Sequence, residues 1–124
     1  MQRVFRSIFW LAVAATLFFA LRPVVITIPT SDKTQHAVTF AVLAFLAGVA
    51  FPQARLWALG FALSGFGALI EILQPWFGRD DDARDWIADT IGLAIAFALV
   101  WIVRRVLRER PTPYSDRIDQ SRGA

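Results

Sequence analysis

The chain has 124 residues, no cysteine, 56% hydrophobic and 19% charged residues, and a formal net charge of +3. A soluble domain of this length hides only about two-thirds of its surface, so recurring apolar runs of about 18 residues with charge only at their edges argue against a soluble globular enzyme. Absence of cysteine excludes a disulfide scaffold, a thiolate nucleophile and a cysteine-based zinc site, and arginines that flank apolar spans report membrane orientation rather than nucleic-acid binding.

The predicted elements are four membrane-spanning helices over residues 5–21, 33–51, 56–74 and 85–103. They make an all-α integral membrane four-helix bundle of residues 1–103, followed by a basic tail at 104–124. Arg22-Pro23 closes the first span, because proline lacks an amide donor and biases the residue before it away from helix. The basic start Met1 to Arg6 and the apolar stretch Ile8 to Ala20 have the layout of a signal peptide. No small-x-small cleavage site follows, so a retained signal anchor is expected. Val24 to Ile28, between two prolines, is expected to be extended.

The second span reaches full length only if Lys33 to His36 form its first turn, with Ser31 or Asp32 as the cap; Pro52 ends it. The third runs from Leu56 to Gln74, before Pro75, and the fourth from about Trp86 to Val103, before Arg104-Arg105. At about 1.5 Å rise per residue each can cross a hydrocarbon core of about 30 Å. Beyond Arg104, Pro111, Pro113 and scattered charges read as a stop-transfer cluster leading into a disordered tail. Trp10, Trp57, Trp76, Trp86 and Trp101 are assigned to the headgroup level, where indoles commonly anchor spans.

Sorting charge by side sets the orientation. The face with both termini and the 52–55 turn holds nine cations, Arg3, Arg6, Arg55, Arg104, Arg105, Arg108, Arg110, Arg117 and Arg122, and three acids, Glu109, Asp116 and Asp119. The opposite face holds four cations, Arg22, Lys33, Arg79 and Arg84, and seven acids, Asp32, Glu71, Asp80, Asp81, Asp82, Asp85 and Asp89. The first face is therefore expected to be cytoplasmic, with both the N-terminus and the C-terminus inside.

Charge within a span costs on the order of 3 kcal/mol at the membrane centre and less toward the interface, and here it gathers on one side. Asp32, Lys33 and His36 open the second helix, Glu71 and Gln74 end the third, and Asp85 and Asp89 open the fourth. Residues three or four apart share a helix face, so Asp32 with His36, Glu71 with Gln74, and Asp85 with Asp89 can each point together. Beneath them run stripes of small residues, Gly60, Ser64 and Gly67 on the third helix and Ala88, Gly92 and Ala96 on the fourth. Small residues allow close helix approach, and the third and fourth helices are expected to pack through these stripes. Plainer roles are open as well. Asp32 suits a helix cap, Lys33 a snorkelling cation, Arg79 with Asp85 a loop ion pair, and Asp80 to Asp82 a solvated run or a patch for a hard cation. His36 is the only histidine, so a multi-histidine centre is excluded, and no metal or cofactor is expected, although one histidine with Glu and Asp ligands is chemically allowed.

Asp32-Lys33-x-x-His36-x-x-x-Phe40, Glu71-x-x-Gln74, and Gly78-Arg79 followed by Asp85, Ala88, Asp89 and Gly92 together resemble the VanZ-like family of small bacterial membrane proteins, whose founding member is associated with teicoplanin resistance. The resemblance covers roughly residues 32–92, with Asp89 standing where the family usually carries Asn. It implies a four-helix multi-pass protein of the bacterial inner membrane. The leading expectation is a binding or accessory role at the cell envelope, in which Asp32, Lys33, His36, Glu71, Gln74, Arg79, Asp85 and Asp89 engage a lipid-linked cell-wall precursor, a glycopeptide or a phospholipid headgroup. The alternative is an intramembrane enzyme acting on a lipid or lipid-linked substrate, with His36 as general base, Glu71 or Asp85 orienting it or serving as acid, and Arg79 stabilising negative charge. A closed set of hydrogen bonds with no cavity would instead mark a structural plug.

Overall fold

A computed structural model of the chain describes residues 1–22, 32–80 and 82–109, with Asp32 by its backbone alone. Four helices follow in order: α1 (Gln2–Leu21), α2 (Asp32–Ala50), α3 (Leu56–Leu73) and α4 (Ala83–Arg108). Each is long and apolar enough to cross a membrane, so the chain is an all-α, multi-pass membrane bundle. The extended segment expected at residues 24–28 and the tail beyond residue 109 lie outside the described residues.

The bundle is dressed for lipid rather than water. Large apolar side chains stand exposed along every helix, among them Phe18 and Phe19 on α1, Val42 and Phe45 on α2, Phe61 and Ile72 on α3, and Ile91, Ile95 and Leu99 on α4. The interior holds small residues, Ala44, Ala47, Ala50 and Ala96, around Phe40, Leu43 and Ile70. Against lipid tails no hydrophobic force draws helices together, so close van der Waals packing must hold them.

That packing corrects the expected pairing. The small-residue stripe of α4 turns chiefly to α2, not to α3. A Cβ at Gly92 would overlap the carbonyl oxygen of Ala37, and one at Gly48 would come within 2.9 Å of Val100. The physical reason is a second small-residue stripe on α2, Ala37, Ala41, Ala44 and Gly48 at three- and four-residue spacing, which complements Gly92 and Ala96 and allows nearly bare backbones to meet. The stripe of α3 still faces α4, but against larger groups: Gly60 lies under Phe97, and Gly67 lies against Asp89 and Phe40.

Helix ends add detail that spacing does not give. The third helix stops just before Pro75 as expected, and Pro75 occupies the first turn of a short 3-10 segment, Gln74–Phe77, where a missing amide costs nothing. Gly78, at φ 73°, then takes the left-handed conformation that reverses the chain. At the other end α4 runs through Arg108, five residues past its expected stop. Its Arg104 is no member of a free tail. Its guanidinium donates to the carbonyls of Gly48 (2.7 Å), Ala54 (3.2 Å) and Phe51 (3.3 Å), satisfying an open carbonyl in the last turn of α2 and tying down the turn that follows. Arg6 adds a bond to Ala50 O at 3.3 Å and stacks over the Phe51 ring. Hydrogen bonds from a charged group are worth about 1.5–3 kcal/mol. Arg104→Ala should therefore lower stability in micelle denaturation by about 2 kcal/mol; a change below about 0.5 kcal/mol, the range of a neutral surface substitution, would show the clamp to be ornamental.

The indoles divide. Trp57 and Trp101 share a level beside Arg55, Arg104 and Arg105, as anchors should. Trp10 sits near the middle of α1 with its ring against Phe9. Trp86 donates its N–H to the carbonyl and hydroxyl of Ser64, both at 3.2 Å, and so ties α4 to α3.

Candidate functional site

The end of the bundle opposite Arg6 and Arg104 gathers the predicted polar residues. Its centre is the pair His36 and Asp89. Asp85 and Asp89, four apart on α4, both turn inward and are buried, and Asp89 Oδ1 lies 3.0 Å from His36 Nδ1. A carboxylate only accepts, so this bond assigns a proton to Nδ1 and directs Nε2 toward Asp85. There Nε2 lies 3.6 Å from Asp85 Oδ2. The glycine at position 67 makes room for this arrangement, since a Cβ there would meet Asp89 Oδ2 at 3.0 Å.

Asp85 is shared. Its Oδ1 lies 3.6 Å from Lys33 Nζ, and Lys33 reaches Asp82 Oδ2 at 3.2 Å. Asp82, which the sequence reading placed in a solvated run, caps α4: its Oδ1 accepts from the Arg84 amide at 2.9 Å. Its own amide donates to Glu71 Oε2 at 3.1 Å. The hydrogen bond from Arg84, aided by Lys33, holds the Asp82 carboxyl below its usual range. The sequence does carry the signal for this cap, an Asp three residues before the acidic first-turn Asp85, just ahead of an apolar helix.

Glu71 and Gln74 share a face of the third helix and its 3-10 extension, and both are buried, yet they serve different neighbours. Glu71 faces the start of α4. Gln74 donates from Nε2 to the Ala20 carbonyl on α1 at 3.3 Å. One oxygen on each, Glu71 Oε1 and Gln74 Oε1, is buried without a hydrogen-bond partner among the described residues. Arg79 does not pair with Asp85 as the loop ion pair would require; it donates to the Arg22 carbonyl at 3.4 Å. Lys33 and His36 already face Asp85, and Arg79 lies on the far side of Gln74, toward α1. Asp32 opens α2 as expected, and its side chain lies outside the described residues.

Beside the cluster is a cavity of about 270 Å³. His36, Gln35, Thr16, Thr39, Gln74 and Arg79 give its polar lining, and Ala15, Phe19, Ala20, Phe40 and Ile70 its apolar lining. Thr16, Gln35, Thr39 and the α1 side chains line this cavity without being among the residues expected there. Thr39 could have been found from its position three residues beyond His36, on the same helical face. The α1 residues carry no comparable signal. A search against protein-family models, curated proteins and solved structures returns no match for this chain.

Proposed function

We propose that this chain is a VanZ-like protein of the bacterial inner membrane, with both termini cytoplasmic, whose outward polar end binds the phosphate-bearing headgroup of a lipid-linked cell-wall precursor. The observation that carries this reading is the cavity between α1, α2 and α3, with Arg79, His36 and Gln74 at its polar side and phenylalanine, isoleucine and alanine along the rest. Its volume lies just below the about 300–1,000 Å³ of sites that enclose a drug-sized ligand. It suits a headgroup whose tail stays in the bilayer, and a glycopeptide could place only a fragment there. A guanidinium offers a planar fork of donors to phosphate or carboxylate, and Gln74 Oε1, buried and unpartnered among the described residues, is an acceptor for a ligand hydroxyl or amide. An accessory part in glycopeptide resistance would then act through the precursor.

Loss of a charge-assisted bond costs about 1.5–3 kcal/mol, so Arg79→Ala should weaken binding of an undecaprenyl-linked precursor in nanodiscs at least about tenfold. Equal affinities for wild type and variant would sink the reading. The ordered line Asp89, His36, Asp85 supports a second one, an intramembrane acid–base enzyme in which Asp89 orients the imidazole and His36 serves as base. It requires that His36→Ala abolish turnover of a lipid-linked substrate, not only weaken its binding.

A further inference from the structure

We propose that His36, Glu71 and Asp85 form a binding site for a divalent transition-metal ion, with Asp89 as the carboxylate that orients the histidine. Three donors of different helices converge: an imidazole nitrogen from α2, a carboxylate oxygen from α3 and one from α4, all within 4.8 Å of one another. Two bonds of about 2.0–2.2 Å to a shared ion span at most about 4.4 Å, so the three donors need close by no more than a few tenths of an ångström to share one ion. The His36 Nε2 to Asp85 Oδ2 distance, 3.6 Å, is too long for a hydrogen bond and close to what two such bonds subtend near a tetrahedral angle.

A second observation is independent of the spacing. Glu71 is 8% exposed, its Oε2 takes the Asp82 amide, and its Oε1 is buried with no hydrogen-bond partner among the described residues. A buried carboxylate oxygen left bare is costly unless a proton or a cation meets it. The charge balance agrees. Glu71, Asp85 and Asp89 are all buried, while Lys33, the chain's one lysine, is half exposed and divided between Asp82 and Asp85.

The Asp89 to His36 bond is the arrangement by which metal-ligating histidines are usually held: the far ring nitrogen donates to a carboxylate, which fixes the tautomer and raises the basicity of the ligating nitrogen. One imidazole with two carboxylates favours Zn²⁺, Mn²⁺, Fe²⁺ or Co²⁺ over the all-oxygen preference of Ca²⁺ and Mg²⁺. This inference goes beyond the headgroup reading and does not depend on it, since metal uptake can be measured on the protein alone.

The test uses the full chain in nanodiscs, stripped with chelator and titrated with Co²⁺, Zn²⁺ and Mn²⁺, with Ca²⁺ and Mg²⁺ as comparators. Expected are one equivalent of Co²⁺ per chain with the visible absorption of a low-coordinate site, and a melting temperature that rises with ion concentration. His36→Ala and Glu71→Gln should each weaken binding more than tenfold, Asp89→Asn about 10–100-fold, and the exposed Asp80→Asn not at all. Should a variant fail to fold, the wild-type cobalt spectrum decides alone. Folded wild type that takes up no saturable transition ion, affinities unchanged in both His36→Ala and Glu71→Gln, or a preference for Ca²⁺ or Mg²⁺ would each overturn the assignment.

Discussion

Replacing Gly92 with alanine is expected to destabilise the bundle by about 3 kcal/mol or more, at or beyond the usual upper range for overpacking. The added methyl would land on the Ala37 carbonyl oxygen, with the Ala37 carbonyl carbon at 2.9 Å and its Cα at 3.1 Å. These are backbone atoms of a packed helix, so no rotamer change can give way. Either α2 and α4 separate or the helix bends. The consequence reaches the site, because Asp89 sits one turn above Gly92 on the same face and must keep its 3.0 Å bond to His36 on the opposing helix. Denaturation in micelles measures the loss. A Gly92→Ala protein whose stability stays within about 0.5 kcal/mol of wild type would mean that α2 and α4 do not meet as described. Gly65→Ala, where an added Cβ meets nothing within 4 Å, is the control and should be neutral or slightly stabilising.

The second large effect is at the buried pair. Taking away the partner of a buried carboxylate leaves that charge without compensation, a cost of about 3–5 kcal/mol on the scale of a broken buried pair. Asp89 is 1% exposed, so His36→Ala is expected to lie in that range. The double variant His36→Leu with Asp89→Val behaves differently. Replacing a buried pair by apolar side chains of similar volume is often neutral or stabilising, and this protein should recover to within about 1 kcal/mol of wild type while losing ligand binding. That outcome separates a site from a plug, since a plug has nothing to lose but stability. If the double variant binds the lipid-linked precursor as wild type does, the polar pair has no part in recognition.

Much of the arrangement was legible in the residues. Length and hydropathy require four spans, and Pro23, Pro52 and Pro75 lie beyond the ends of the first three α-helices because of what proline does to a helix. The convergence of Lys33, His36, Glu71, Gln74, Asp85 and Asp89 at one end also follows from their places near span ends of alternating direction, without any side chain being seen. Periodicity goes one step further. It puts Asp85 with Asp89 on one face, and that face is buried.

Which face meets which helix lies beyond periodicity. Both α2 and α3 carry small-residue stripes that could take Gly92, and a stripe says only that something can come close. The choice of α2 depends on depth and rotation of each helix in the bundle, set by all contacts at once. Arg104 makes the same point. Its charge reads as a membrane stop, and only the return of α2 to the same level turns it into a clamp on three carbonyls. So does Arg79, whose partner is decided by the course of α1 at Arg22 rather than by the acidic residues nearest in sequence.

Composition and spacing alone establish a four-span bundle with a basic end and an acidic end, because hydrophobic length and charge placement are properties of single helices. The pairing of α2 with α4, the line from Asp89 through His36 to Asp85, the bare oxygens of Glu71 and Gln74, and the cavity against α1 belong to the tertiary structure. Each is a relation between helices far apart in the chain, and distances of about 3 Å between side chains arise only when several helix rotations and depths are fixed together.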